Sequence, residues 1–459
     1  MTVSNNKNKF SIVHINTHDI AGGAAKVAWR LMESQRQLGF DSKILAGEKI
    51  NDSDYCFSFP REKNRFLAVQ CGREGQLYYE FQGSHKLVNN PLVRAADVLH
   101  LHNLHGGYFN PFSLSAISQL KPTVWTLHDM QAFTGHCAHS FDCQSWETGC
   151  AQCPDLSIYP DMLVDSSGQL WRDKKLIYDH SYLTIVTPSQ WLKDKVQRSI
   201  LKSYPVELIY NGVDTNTFKP YDKNEAKSKF GIPADKLIIG AVAHGGALEN
   251  PWKGGNYTRQ VFDALTTRLP NCVFVNIGNS HKSDDPRIVN IAHIDNESEL
   301  AQAYSMLDIF LYTSVADNCP LVVLEALSCG IPMVAFNTGG VPELARDGLD
   351  GYVTAYKDVT QLAQALEKLA TQPQLRLEFS NNARQHAVSK FEHKIIAGRY
   401  LKLYERCLQE YSNKSHNSKL LPLGSVPKVV VNDAFIKAES SKKTLACTNN
   451  KQINISHIF

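Results

Sequence analysis

Residues 317–342 read DNCPLVVLEALSCGIPMVAFNTGGVP, and the fold follows from the order of parts around them. An apolar, β-like run at 309–313 ends in a polar loop, and Pro320 stands where a first helical residue belongs, its fixed φ suiting that position. Gly330 and Pro332 end the helix, and a second β-like run fills 333–336. Strand, loop, helix and strand in that order make a βαβ unit with parallel strands. The loop then lies at the carboxyl end of a strand, where free N–H groups at the helix start suit an anion such as a diphosphate. Asp317 and Glu325 are both able to face that crevice, and paired carboxylates grip sugar hydroxyls by accepting hydrogen bonds. The plainer reading makes Asp317 a helix cap and Glu325 a solvated face residue. Glu325 sits between Leu324 and Ala326 in an apolar helix, where an unpaired carboxylate is expensive, so the functional reading is preferred.

The same alternation runs outward in both directions. Upstream, strands are expected at 10–16, 43–46, 98–101, 123–127 and 183–187, with a helix over 24–37 and another opening at Ser189. Asn211, Gly212, Val213 and Asp214 form a turn signal beside the interdomain linker. Strands are expected again at 237–242 and 272–277, with helices near 256–268, 320–329 and 358–371. The predicted architecture is α/β, with two doubly wound Rossmann-like domains facing each other across a cleft. Residues 1–205 form the first domain, with a Cys-rich insertion at about 136–154. Residues 206–390 form the second, 391–411 a long closing helix, and 412–459 a weakly ordered tail.

A chain of 459 residues is long enough for two such cores. The 43% hydrophobic and 20% charged content is that of a globular protein, and a net charge of +3 is too mild to make nucleic acid the main partner. The polar start and the lack of ~20 consecutive apolar residues point to a cytoplasmic protein without a signal peptide or membrane span.

The acid, seven-residue, acid pattern from Asp317 to Glu325, followed by Gly339-Gly340-Val341-Pro342-Glu343, resembles the signature of the family 4 retaining glycosyltransferases of the GT-B fold. His128-Asp129, Asn211-Gly212-Val213-Asp214 and Lys253-Gly254 stand in that family's order. The resemblance covers about residues 10–411. It implies a nucleotide-sugar donor, with Glu325 on the ribose, Asp317 on the donor sugar, Lys253 on the diphosphate and His128 near the reacting centre. Catalytic roles thus fall to His128, Asp317 and Lys253. Donor-binding positions are Gly22, Gly23, Lys253, Asn318, Leu321, Val322 and Glu325. The family usually has Glu at the first acid position and an Arg upstream of the lysine, and this chain has neither; either His244 and the backbone of Gly245 and Gly246 stand in for the Arg, or the site holds less positive charge. A side-chain nucleophile and a catalytic metal are not implied. The resemblance further makes residues 1–205 the acceptor-side domain and 206–390 the nucleotide-sugar-binding domain, and it implies a glycan or lipid-linked glycan acceptor in bacterial surface polysaccharide assembly.

Cys137, Cys143, Cys150 and Cys153 have the density of a structural zinc site, with His136 and His139 in reserve; reduced thiols or a disulfide pair are the alternatives. A stripe of Leu192, Val196 and Ile200 beside Lys193, Lys195, Arg198 and Lys202 reads as a domain helix with a solvated face. Its alternative use is a peripheral contact with the inner membrane surface. Competing functions are a sugar-nucleotide epimerase of the same fold and a non-catalytic nucleotide-sugar or metal-binding module. A dehydrogenase is excluded by DIAGGAAK in place of Gly-x-Gly-x-x-Gly in the first turn.

Overall fold

The computed structural model describes residues 9–417. Two parallel sheets organise them. The first holds β1 (Ser11–His18), β2 (Asp41–Glu48), β3 (Cys56–Ser58), β4 (Val98–Leu101), β5 (Thr123–Thr126), β6 (Thr184–Thr187) and β7 (Val206–Leu208), in the order β3-β2-β1-β4-β5-β6-β7. The second holds β8 (Leu237–Val242), β9 (Cys272–Ile277), β10 (Ile288–Ile291), β11 (Ile309–Tyr312), β12 (Met333–Phe336) and β13 (Gly351–Thr354), in the order β10-β9-β8-β11-β12-β13. Both orders are doubly wound, and each reverses direction beside its first strand. This places one switch point between β1 and β4 and another between β8 and β11, where open α/β sheets bind ligands.

The strands read as apolar runs because helices cover both faces. Every residue of β9, β11 and β12 is buried. The covering helices bury one stripe each: Leu362, Leu366 and Leu369 of the helix Val359–Thr371 have no exposed surface. That helix starts where the Asp358 side chain accepts from the Gln361 N–H.

Val206–Leu208, read from sequence as the opening of the second domain, pairs with β6 and completes the first sheet, so the passage between sheets falls after Leu208. The closing helix spans His393–Asn417, longer than expected at its C-terminal end. It does not pack under the sheet that precedes it. Ile396, Ala397, Tyr400, Leu403 and Tyr404 share a core with Phe10, Ile12, Val98, Val124 and Val186 of the first sheet. Of the expected tail, residues 418–459 lie outside the described residues.

The helix that opens after Ser189 stops at Val196, before the end of the basic and apolar stripe. Leu192 and Val196 are fully buried in the first core with Ile200 packed against it, so this apolar stripe faces protein. Lys195 and Arg198 lie instead over the Trp146 ring, at 5.3 and 5.5 Å. Among the described residues no helix is long and apolar enough to cross a membrane.

Candidate active site between the two sheets

The loop after β11 carries Asp317 and Asn318, and its path is set by the Gly339-Gly340 turn beyond β12. Gly339 has φ +54°, and a Cβ there would lie 1.7 Å from the Asp317 carbonyl oxygen, so only glycine lets the two loops meet. Pro320 takes the N-cap position rather than the first helical one, and the helix Leu321–Ser328 follows. Leu321 and Val322 form its first turn, partly exposed.

Lys253 comes from the loop after β8, the neighbouring strand at the switch point. Asn250 caps the short turn Pro251–Lys253 by accepting from the Trp252 and Lys253 N–H groups, and Gly254 leaves it at φ +72°. The Lys253 ammonium donates to Asp317 Oδ2 at 2.7 Å, and the Tyr312 hydroxyl donates to the same oxygen at 2.5 Å. Burial alone raises a carboxylic pKa, but Lys253, Tyr312 and the Asn318 N–H outweigh it and hold Asp317 below its ordinary value. The carboxylate is therefore ionised, half-sheltered and already paired with a cation.

The first sheet contributes His128 from the end of β5. Asn318 Nδ2 donates to the His128 carbonyl oxygen at 3.0 Å, while Ser189 Oγ donates to Asn318 Oδ1 at 2.5 Å. Asn318 thus ties the two loops together across the cleft. A second tie comes from Glu343, whose carboxylate accepts from the Gln190 and Trp191 N–H groups at 2.6 and 2.8 Å and so charges the start of the helix Gln190–Val196. Asp129 is engaged by His105 Nε2 at 2.8 Å.

Glu325 is placed differently from what its spacing suggests. It is 3% exposed, and its Oε1 accepts from Arg30 at 2.7 Å while Tyr304 donates to Oε2 at 3.1 Å. Arg30 belongs to the helix Gly23–Gln37 of the first sheet, is itself 5% exposed, and also pairs with Glu297 at 2.7 Å. Both Glu325 oxygens are thus occupied by protein in this conformation. Sequence reasoning missed Arg30 because nothing local marks a partner 295 residues away. Gly22 and Gly23 are exposed at the start of that same helix, Gly22 with φ +88°.

The Cys-rich insertion reaches across to the lysine loop, where Phe141 packs on Trp252 at 5.0 Å and His139 stacks on Trp191 at 5.5 Å. Its anchor is the buried Lys174 ammonium, which donates to the carbonyls of Gln131, Thr134 and Gly135 at 2.5, 3.1 and 3.4 Å. Four sulfurs on one zinc stand roughly 4 Å apart, given Zn–S bonds of about 2.3 Å. Among the described residues, metal-ligand atoms converge within 4.8 Å at His14, His100 and His102 and at Asp214, Glu392 and His393, and the four thiols do not. Burial pushes the Cys137 thiol up to about 12 and the Cys150 thiol up to about 11. All four cysteines of the insertion are free thiols, and Cys153 Sγ lies 3.2 Å from His136 Nε2.

Two family models divide the chain close to where the sheets divide it. Residues 21–217 match the model described as Glycosyltransferase Family 4, and residues 222–386 the model described as Glycosyl transferases group 1. The chain belongs to the family 4 glycosyltransferases, built on the GT-B fold. It is similar to a putative colanic acid biosynthesis glycosyl transferase, WcaC, of Escherichia coli (strain K12), at 26% identity over 378 residues, covering 77% of this chain and 89% of the relative. Among solved structures it resembles sucrose-phosphate synthase from Thermosynechococcus elongatus, with TM-score 0.63 and 16% identity over 87% of this chain and 100% of the other. It also resembles Anabaena HepE in complex with UDP and glucose, with TM-score 0.59 and 16% identity over 86% and 99%. At these identities the structural likeness is one of fold.

Proposed function

We propose that this glycosyltransferase moves a hexosyl group from a nucleotide-sugar donor to a hydroxyl of a glycan or lipid-linked glycan, with retention of anomeric configuration, in bacterial surface polysaccharide assembly. The observation that carries this reading is the 2.7 Å Lys253–Asp317 pair at the second switch point, joined through Asn318 to His128 at the first sheet. In this reading Lys253 turns to the donor diphosphate and neutralises charge on the leaving group, while Asp317, freed of it, accepts from a sugar hydroxyl. The first-turn N–H groups of Leu321 and Val322 face the same phosphates. The acceptor hydroxyl attacks from the face the nucleotide leaves, and its proton passes to a donor phosphate oxygen. No side-chain nucleophile takes part, and positioning supplies much of the rate. The resemblance to WcaC supports the polysaccharide setting, and the resemblance to a UDP complex makes uridine nucleotides the first to try.

The test measures melting temperature against UDP, GDP, ADP, TDP and their sugar conjugates, for the parent and for Lys253→Ala. A ligand at 100 times its Kd adds ~2.7 kcal/mol to the folded state. One nucleotide family should raise the parent's melting temperature and leave the variant's nearly unmoved, and NMR of the product should show the donor's anomeric configuration. An inverted product defeats the retaining reading; a folded parent that responds to none of these ligands defeats the donor site.

A further inference from the structure

His128 does not stand alone behind the cleft. Its Nε2 lies 3.0 Å from His102 Nδ1, His102 Nε2 lies 3.0 Å from His14 Nδ1, and His14 Nε2 lies 2.9 Å from Gln35 Oε1. The line crosses the first sheet from the β5 end, past the β4 end, to β1, and finishes on the helix Gly23–Gln37. Ser42 Oγ donates to the same Gln35 oxygen at 2.7 Å, and Gln35 Nε2 donates to Tyr404 Oη at 3.3 Å. A branch continues from Tyr404 Oη to His100 Nδ1 at 2.6 Å, and from His100 Nε2 to Thr126 Oγ1 at 2.8 Å. His14, His100 and His102 are at most 1% exposed.

Such a line has a direction. A neutral imidazole donates from one ring nitrogen and accepts at the other. Once the Gln35 oxygen accepts from His14 Nε2–H, His14 Nδ1 must accept from His102 Nε2–H, and His102 Nδ1 must accept from His128 Nε2–H. This leaves His128 Nδ1 with a bare lone pair, and among the described residues it has no hydrogen-bond partner. The opposite order requires reversing the Gln35 amide and every bond beyond it. Protonating His14 or His102 would set two donors face to face. Burial disfavours the charged form throughout, holding His14 and His128 down to about 4 and His100 and His102 well below their ordinary value. Asp129, next in the chain to His128, pulls His128 the other way and is outweighed. The six ring nitrogens of His14, His100 and His102 all have protein partners, so their convergence needs no metal to explain it.

We propose that Gln35, His14 and His102 are positioning residues that lock His128 in one neutral tautomer, with Nδ1 unprotonated and facing the cleft as an acceptor for a substrate hydroxyl. No proton is transported along the line; it sets proton order only. The proposal rests on the active-site reading above for the use made of His128, but the tautomer itself is read without turnover.

Histidine-ring ¹⁵N NMR of the full chain, assigned through His128→Gln, tests it. The parent should show His128 in a single neutral form between about pH 6 and 8, pyridine-like at Nδ1 and carrying the proton at Nε2. Gln35→Met, three hydrogen bonds from the cleft, should mix the tautomers and lower kcat about 5- to 50-fold with KM for the donor within about 2-fold. Gln35→Glu keeps an acceptor for His14 and should restore both. A parent with Nδ1 protonated or with mixed tautomers overturns the proposal, as does a folded Gln35→Met protein with the parent's spectrum and kcat. Stoichiometric metal bound by the histidines in the purified parent would overturn it too. A parent that has the expected spectrum but transfers no sugar defeats the proposed function and leaves the tautomer lock standing.

Discussion

The positions of Asp317 and Lys253 were legible in the sequence because each lies in a loop closed by glycine or proline beside a parallel strand end. Lys253→Ala should lower kcat/KM by about 10²- to 10³-fold, the scale for losing one preorganised charge donor, in a steady-state transfer assay. Asp317→Asn should cost less, since the amide still accepts from a hydroxyl and no longer competes for the lysine. Glu325 is harder to judge from sequence, because its apolar helix told that it must be paired but not with what. Arg30→Ala strands the buried carboxylate and should cost about 3–5 kcal/mol in denaturant unfolding. The double variant Arg30→Met with Glu325→Leu should recover most of that stability while weakening donor binding. If the double variant binds donor like the parent, Glu325 serves the fold and not the ribose.

At the level of elements, central strands were readable and edge strands were not. β8 and β12 are apolar runs and β9 is one but for Asn276, all three largely buried, and their ends were placed to the residue. β3, β10 and β13 are edge strands of three or four residues with partly exposed positions, too short for a period to show. The helix Pro373–Lys390 went unread for a similar reason, as only Phe379, Ala383, His386 and Ala387 of its eighteen residues are buried. Lys174, which holds the carbonyls of Gln131, Thr134 and Gly135 just ahead of the Cys-rich insertion, is singled out by no spacing rule. The histidine line did leave a trace in the sequence, since His100 and His102 alternate as strand neighbours on one face. The turn at Gly339 invites a test of an element: Gly339→Ala should cost well over 1 kcal/mol and displace the Asp317 loop, lowering kcat and nucleotide affinity together. Isothermal titration with the nucleotide that stabilises the parent would read the second effect.

For the molecule as a whole, the buried neutral histidines predict acid sensitivity. The unfolded chain binds their protons near pH 6.5, whereas the native protein refuses them until about pH 4 at His14 and His128. Across that window the unfolded state holds more protons, so stability rises with pH and is lost as pH falls, by up to about 1.4 kcal/mol per pH unit for each such histidine. The depressed carboxyl of Asp317 acts in the same direction only at lower pH, below the ordinary carboxylate range. Melting temperature should therefore begin to fall near pH 6.5, well before the carboxylates titrate; a flat profile down to pH 4.5 would contradict the neutral core. The two-sheet plan was legible throughout, because alternating strand and helix signals survive any local error, whereas the destination of the closing helix was not.

That helix gives the protein a timetable. Tyr400 and Tyr404 finish the buried underside of the first sheet, yet a ribosome makes them some two hundred residues after the last strand of that sheet. While the second half is being synthesised, the first waits with Phe10, Ile12, Val98 and Val124 uncapped and with His100 short of its tyrosine. A nascent chain stalled before His393 should hold the chaperones that a finished one releases, and a separately expressed residue 9–235 fragment should aggregate until the 393–411 peptide is supplied.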